Sequence, residues 1–310
     1  MKCLILGGAG FIGAHLSEAL LGEGYQVRIF ERPNVVQTSA VGADPRIEWV
    51  KGDFVNPADV SRAVSGCDMV VHLISTTLPQ SSNDNPLYDI ETNVLGSVKL
   101  LEAVLKGHVR KVIFISSGGT IYGTPREVPI KESHPTEPMC SYGIGKLTIE
   151  KYLSLFHSSH GLEYCVLRMS NLYGERQPVT TGQGAIAVFL NKALKKETIE
   201  IWGDGTVVRD FLYVQDAIRA ILKALTYHGA PRVFNIGAGQ GYSLNDVLAT
   251  IETLVGGPVS RKYMPGRPFD VSVNVLDISL AAHCLNWKPE RPFLEGLSRT
   301  WQWMQHRSRA

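Results

Sequence analysis

The chain has 310 residues, 44% hydrophobic and 19% charged, enough to bury a large core in one α/β unit or two closely packed domains. With 31 basic against 29 acidic residues the formal net charge is +2, which excludes the strong field of a nucleic-acid or membrane-surface binder and leaves partners to local sites. Five scattered cysteines (Cys3, Cys67, Cys140, Cys165 and Cys284) include no C-x-x-C pair, so neither a disulfide framework nor a zinc site is suggested, and a reducing cytoplasm fits best.

The opening "MKCLILGGAGFIGAHL" superficially resembles a secretory signal, but four glycines interrupt its apolar stretch and no small-residue cleavage site follows convincingly. It reads as structure. "CLIL" is the first predicted strand, followed by a helix over 11–21, strands at "QVRIF" and "IEWV", a helix over 59–64, and a strand at "MVVHL". A helix over 87–105, a strand at "KVIFIS", a helix over 142–156 and a strand at "YCVLRM" complete this half. The strands are continuous apolar runs, the pattern of strands buried on both faces. Their alternation with helices predicts right-handed crossovers, a parallel sheet covered on both sides, and ligands at the carboxyl ends of strands. Beyond Met169 the rhythm changes to Gly- and Pro-rich connections, isolated short strands and helices near 185–195, 214–225, 243–254 and 293–305, which predicts a smaller second lobe sharing elements with the first. The closing "HRSRA" reads as a solvated tail. No stretch approaches the roughly 20 apolar residues of a membrane-spanning helix, so membrane insertion is not expected.

"GGAGFIG" places Gly7, Gly10 and Gly13 directly after a strand and at a helix start, with Phe11 and Ile12 between the last two. Glycines there let the backbone approach a pyrophosphate, while the helix N-terminus offers free N–H groups and partial positive charge. Glu31 ends the second strand, where a carboxylate can accept hydrogen bonds from both ribose hydroxyls of an adenosine, which favours NAD over NADP. Arg32 keeps the alternative open, since a guanidinium in that turn could hold a 2′-phosphate or stack on adenine. In "SYGIGK", Tyr142 and Lys146 stand four apart and share one face of a helix. The spacing suits either an amphipathic helix start or a proton-transfer pair, because a phenol acts as a base near neutral pH only beside a stabilising cation.

With both motifs in place the chain resembles the extended short-chain dehydrogenase/reductases, especially nucleotide-sugar epimerases of the UDP-glucose 4-epimerase type. The resemblance runs almost end to end through "GDF", "HLI", "NVLGS", "SSGGTIYG", "LRMSNLYG", "WGDGTVVRDFLYV", "FNIGAG" and "PGRPFD". It implies an α/β fold: a Rossmann-type doubly wound parallel sheet over residues 1–170, with elements from about 206–240 returning to it, and a smaller C-terminal α/β substrate lobe over 171–310. Asp53 and Phe54 would border the adenine, Leu73 and Ser116 would line the dinucleotide, and Asn93 would support the sheet beside the Tyr–Lys pair. On its residues alone Asp53 reads first as a cap of the next helix, and His72 as a core histidine. Tyr142 would move a sugar hydroxyl proton, while Lys146 lowers the phenol's pKa and binds the nicotinamide ribose.

The family commonly places a Ser or Thr where this chain has Gly118. That leaves Ser117 or Thr120 as the bridging hydroxyl, with Ser117 favoured, although a hydroxyl in "SSGGT" can also serve turn backbone alone. Arg209, Arg267 and Asn171 match residues that hold the substrate diphosphate, Trp202 one that packs on uracil, and Asp270 one that braces Arg267 or the ribose. Each has a plain structural alternative as surface ion pair, core aromatic or turn cap. Asn274 stands where some relatives place a Tyr that crowds the sugar's C2 substituent, so N-acetylated sugars are expected to fit. The implied reaction is C4 epimerisation of a UDP-sugar with retained NAD. The related 4,6-dehydratases carry acids at the places of Gly119 and Thr120; a reductase, another epimerase, or an NAD-binding regulator are the remaining alternatives. The resemblance also implies a homodimer in which the helices over 87–105 and 142–156 pair into a four-helix bundle, and Cys140 is expected only to pack.

Overall fold

The computed structural model describes residues 1–35, 44–179, 184–266 and 271–309. The first half alternates as expected: β1 (Lys2–Leu6), α1 (Phe11–Gly22), β2 (Gln26–Glu31), β3 (Ile47–Lys51), α2 (Pro57–Val64), β4 (Met69–His72), α3 (Pro79–Asp84), α4 (Pro86–Asp89), α5 (Gly96–Lys106), β5 (Lys111–Ser117), α6 (Ser141–His160) and β6 (Glu163–Met169). The rest contains β7 (Asn171–Tyr173), α7 (Ala185–Lys195), β8 (Ile199–Trp202), β9 (Val208–Tyr213), α8 (Val214–Thr226), β10 (Val233–Ile236), β11 (Gly241–Ser243), α9 (Leu244–Val255), β12 (Arg261–Met264), β13 (Val273–Asn274), α10 (Ser279–Cys284) and α11 (Phe293–Arg309).

A seven-stranded sheet has the order β10-β6-β5-β4-β1-β2-β3, and the pairs β3–β2, β2–β1, β1–β4 and β4–β5 run parallel. The order reverses beside β1, which is the doubly wound Rossmann-type arrangement, with its ligand crevice at the carboxyl ends of the strands. The continuous apolar runs have the expected cause. Leu4 and Leu6 of β1 join a core with Val60 of α2, Leu100 and Val104 of α5, Phe114 of β5 and Ile149 of α6, while Cys3 and Ile5 point to the opposite face by strand alternation and are equally buried.

Local signals set the helix boundaries. Pro57 opens α2 and the Asn56 side chain accepts the Ala58 N–H, while in α9 Ser243 and Asp246 form a reciprocal capping box. The single helix expected over 87–105 is instead α4, a π-helical segment Ile90–Leu95, and α5. Among the described residues no helix is long and apolar enough to cross a membrane.

The chain divides into two compact units. One comprises Met1–Ile121, Pro138–Arg168 and Ala220–Phe234, the other Tyr122–Glu137, Met169–Arg219 and Asn235–Ala310. The second unit holds a four-stranded sheet built on β9, which pairs with β11, β13 and β7, and a two-stranded β12–β8 sheet.

Candidate active site

The first unit carries the dinucleotide end. Gly7 takes φ +85° immediately after β1, and a Cβ on Gly13 would lie 2.5 Å from both the Gly7 carbonyl oxygen and the Gly8 Cα. Side chains other than hydrogen are therefore sterically shut out where α1 packs on the turn. Phe11 and Ile12 form the first turn of α1, which has no side-chain cap and no acidic residue. Its leading N–H groups and positive dipole end are thus left for an anion. Glu31 faces this turn: its Oε2 accepts the Ala9 N–H at 3.3 Å and its Oε1 the Arg32 N–H at 3.1 Å. A carboxylate fixed there receives ribose hydroxyls and repels a 2′-phosphate. The cradle, the uncapped helix end and the carboxylate together fit NAD.

The neighbouring expectations separate. Leu73 follows β4, its N–H bonded to the Leu6 carbonyl at 3.1 Å. Asp53 is exposed and accepts the Val55 N–H at 3.0 Å; Asn56, not Asp53, caps α2. Phe54, expected at the adenine, has its ring in the core against His72, in space that Gly96 leaves open: a Cβ there would lie 2.8 Å from the ring. His72 is a core histidine as read, its Nε2 2.9 Å from Ser97 Oγ, and burial first, then Lys146, push its pKa down to about 3. Ser116 also turns inward. Its hydroxyl donates to Glu150 Oε1 at 2.5 Å, and Glu150 is clasped by Arg168, with Nη2 to Oε2 at 2.7 Å.

At the head of α6 the spacing read from sequence becomes a geometry. The Lys146 side chain is buried to 6% exposure; its Nζ donates to the Ile115 carbonyl at 2.9 Å and lies 4.8 Å from the Phe114 ring centroid and 5.5 Å from that of Tyr142. Burial lowers the ammonium pKa to about 8 against the opposing pull of Asp89 and Glu150. The Tyr142 phenol is pushed up to about 12, by burial first and then by Cys140 and Asp89, while a hydrogen bond with the Ser75 hydroxyl works the other way. In the chain by itself burial sets the direction of the phenol, ahead of the nearby charges.

Sequence reasoning missed Ser82, Asn83 and Ser75 in this region. Side chains of α3 occupy the leading N–H groups of α6: Asn83 Oδ1 accepts from Ser141 at 2.9 Å and Ser82 Oγ from Tyr142 at 3.0 Å. In the π-helical segment, Asn93 Oδ1 accepts the Thr76 N–H at 2.9 Å and Nδ2 donates to Asp89 Oδ1 at 2.8 Å, so this residue ties the segment after β4 to the helix. Ser75 was passed over although it lies two residues beyond Leu73, where sheet ligands gather. Of the two hydroxyls that were anticipated, Ser117 is half-buried. Thr120 Oγ1 is buried without a hydrogen-bond partner, and the Thr120 carbonyl oxygen lies 2.7 Å from where a Gly143 Cβ would stand, so it flanks the first turn of α6. Cys140 is half-buried and burial pushes its thiol up, as suits a packing role.

The second unit gathers three of the anticipated substrate residues on one sheet. Arg209 lies on β9 and its Nη1 donates to the carbonyls of Val271 (2.7 Å) and Val208 (2.9 Å). Asn171 starts β7 and donates to the Asp210 carbonyl at 3.2 Å. Asn274 pairs in register with Arg209 and is 1% exposed, so it is an interior strand residue rather than an open wall. Trp202 ends β8 and is 39% exposed. Arg267 and Asp270 lie outside the described residues. Asp210, also missed, is fully buried and accepts the N–H groups of Ala238 (2.7 Å), Gly239 (3.1 Å) and Leu276 (3.3 Å), which ties the "FNIGAG" turn to β9; burial pushes its pKa up to about 6 against those bonds.

A family model for the NAD dependent epimerase/dehydratase family matches residues 3–237. Among curated proteins the chain is similar to a putative UDP-glucose 4-epimerase of Methanocaldococcus jannaschii, 36% identical over 308 residues that cover 99% of each chain. Among solved structures it is similar to the UDP-glucose 4-epimerase of Thermotoga maritima with UDP-glucose, with a TM-score of 0.94, 34% identity, and coverage of 99% of this chain and 100% of that one. It is also similar to the UDP-N-acetylglucosamine 4-epimerase of Methanobrevibacter ruminantium in complex with UDP-N-acetylmuramic acid, with a TM-score of 0.93, 29% identity, and coverage of 99% and 98%. On that match and those likenesses the chain belongs to the NAD dependent epimerase/dehydratase family.

Proposed function

We propose that this chain is an NAD-dependent nucleotide-sugar 4-epimerase acting on UDP-sugars. The observation that carries the reading is the Tyr142–Lys146 pair on one turn of α6, with the ammonium fixed by the Ile115 carbonyl. The first unit would hold NAD through Gly7, Gly10, Gly13 and Glu31, and the second would hold the nucleotide through Arg209, Asn171, Trp202, Arg267 and Asp270. NAD held there would supply the chemistry of hydride transfer at sugar C4, and its oxidised form would add positive charge to the site. Tyr142 takes the 4-hydroxyl proton and returns it, with Lys146 as the resident cation favouring phenolate. Ser75, Ser117 and Thr120 are the hydroxyls available to pass that proton on. Net redox is zero, and the positions of Gly119 and Thr120 offer no acid for dehydration. The test is NMR of the products from a panel of UDP-sugars, with Tyr142→Phe as control. Conversion of UDP-galactose to UDP-glucose by the wild type is expected, and its absence for every sugar in the panel would reject the reading.

We also infer that acetylated sugars are accepted, which the likeness to a UDP-N-acetylglucosamine 4-epimerase supports. Asn274→Tyr is expected to lower turnover of UDP-N-acetylglucosamine by at least about tenfold relative to UDP-glucose, roughly the size of a 1–2 kcal/mol steric penalty in a substrate pocket. The ratio of the two rates is the readout, because overpacking at this interior position lowers both through stability. An unchanged ratio counts against the assignment.

The apolar side chains left exposed along α4 to α6, including Leu87 (71%), Ile90, Ile144 (54%) and Leu155, support a homodimer through these helices. A cleft of about 680 Å³ between Pro86, Ile90 and Val94 on one side and Met139, Ile144 and Thr148 on the other belongs to the same face. Ile144→Lys combined with Leu155→Glu is expected to convert a dimer to a monomer in sedimentation velocity; an unchanged mass contradicts the proposed interface. The five unpaired cysteines support placement in the cytoplasm.

A further inference from the structure

The Asp89 carboxylate is 1% exposed and lies among the parts of the site without belonging to any motif. Its Oδ1 accepts from the Thr77 hydroxyl and from Asn93 Nδ2 (2.8 Å), and its Oδ2 accepts from Ser141 Oγ (2.8 Å). Two hydroxyls and an amide N–H thus converge on this carboxylate. Oδ2 also lies 3.6 Å from where a Gly145 Cβ would stand. Ser141 and Gly145 form one stripe of α6, and Tyr142 and Lys146 form the next stripe over. The negative charge is thus pressed onto the first turn of the helix that carries both members of the proton-transfer pair, where the dipole end favours it.

We propose that Asp89 is a positioning residue of this site, a fixed buried counter-charge that biases both the Tyr142 phenol and the Lys146 ammonium toward their protonated forms. The inference rests on the reading of Tyr142 as the proton-transfer group. It assigns the chain a device for keeping Lys146 charged inside the protein, where burial, even against Asp89 and Glu150, leaves its pKa at about 8, and it accounts for part of the elevation of the phenol. The other ionisable groups around the pair do not duplicate it. Cys140 acts on Tyr142 alone, Glu150 supports Lys146 but is neutralised by Arg168, and His72 is held neutral.

The sign follows directly. Removing a negative charge lowers the pKa of both groups, so both limbs of the pH profile of kcat move to lower pH, by about one unit for a unit charge several Å away in a partly buried site. Asp89→Asn and the smaller neutral Asp89→Ser make the same prediction, and either one, if soluble, suffices. Asp89→Glu keeps the charge and is expected to restore the wild-type profile. A limb shift in the neutral variants with rescue by Glu supports the proposal. A lower kcat with both limbs unmoved, or a Glu variant that shifts as the neutral ones do, overturns it and leaves Asp89 a brace for Thr77, Asn93 and Ser141. Tyr142→Phe measured alongside separates the two levels: if it turns over like the wild type, the reading of Tyr142 fails, whereas if it is inactive and the neutral Asp89 variants keep the wild-type limbs, only the inference about Asp89 fails.

Discussion

Tyr142→Phe is expected to lower kcat for UDP-galactose by about 10³-fold, within the range that one general acid–base group contributes, with KM and NAD content little changed. Phe keeps the ring that lies 5.5 Å from Lys146 Nζ and removes only the oxygen. The backbone bond from the Tyr142 N–H to Ser82 Oγ stays in place, so the thermal midpoint is expected to hold. Kinetics on the variant, read beside an unfolding curve and a count of bound dinucleotide, checks this. Activity within a few-fold of the wild type would move the proton transfer to another group, with the Ser75 hydroxyl first in line.

The second large effect belongs to Gly13→Ala. The added methyl would sit 2.5 Å from the Gly7 carbonyl oxygen and the Gly8 Cα, and backbone atoms cannot swing aside as a long side chain can. Either α1 lifts from β1 or the turn deforms, at a cost of about 3 kcal/mol or more. The midpoint is then expected to fall by about 6–12 °C, and NAD to be lost on gel filtration, since the uncapped end of α1 no longer meets the turn. Gly10→Ala is the internal comparison: its nearest obstacle is the Gly7 carbonyl oxygen at 3.3 Å, so a markedly smaller fall in the thermal midpoint is expected. Equal effects of the two would contradict the steric account.

What was legible in the sequence follows from where the determining interactions lie. Strands β1, β2, β4, β5 and β6 are apolar runs because both their faces are buried, and that information is local; β3, expected to be buried on both faces, lies at the sheet edge and buries only Ile47. The same is true of the glycine cradle and of Tyr142 and Lys146, whose roles need only a spacing and a helix. Strands β11 and β13 have three and two residues and exist through register with β9, which no short window encodes. The π-helical turn at Ile90–Leu95 is similarly non-local, since Asn93 within it bonds the Thr76 N–H. A serine at a strand end looks available to a ligand, while the charge that the Ser116 hydroxyl bonds, Glu150, is distant in sequence. Ser75, Asp89 and Asp210 were missed for the same reason: each matters through the partners it finds across the fold, and each alone is an ordinary polar residue.

The most direct measurement uses UDP-galactose carrying deuterium at C4, with the holoenzyme in ordinary water and the product read by NMR. If Tyr142 moves only the hydroxyl proton while the C4 hydrogen is stored and returned within one active site, the UDP-glucose formed keeps its deuterium at C4. Loss of that deuterium to solvent would contradict the account at its centre, because C4 would then exchange its hydrogen as a proton.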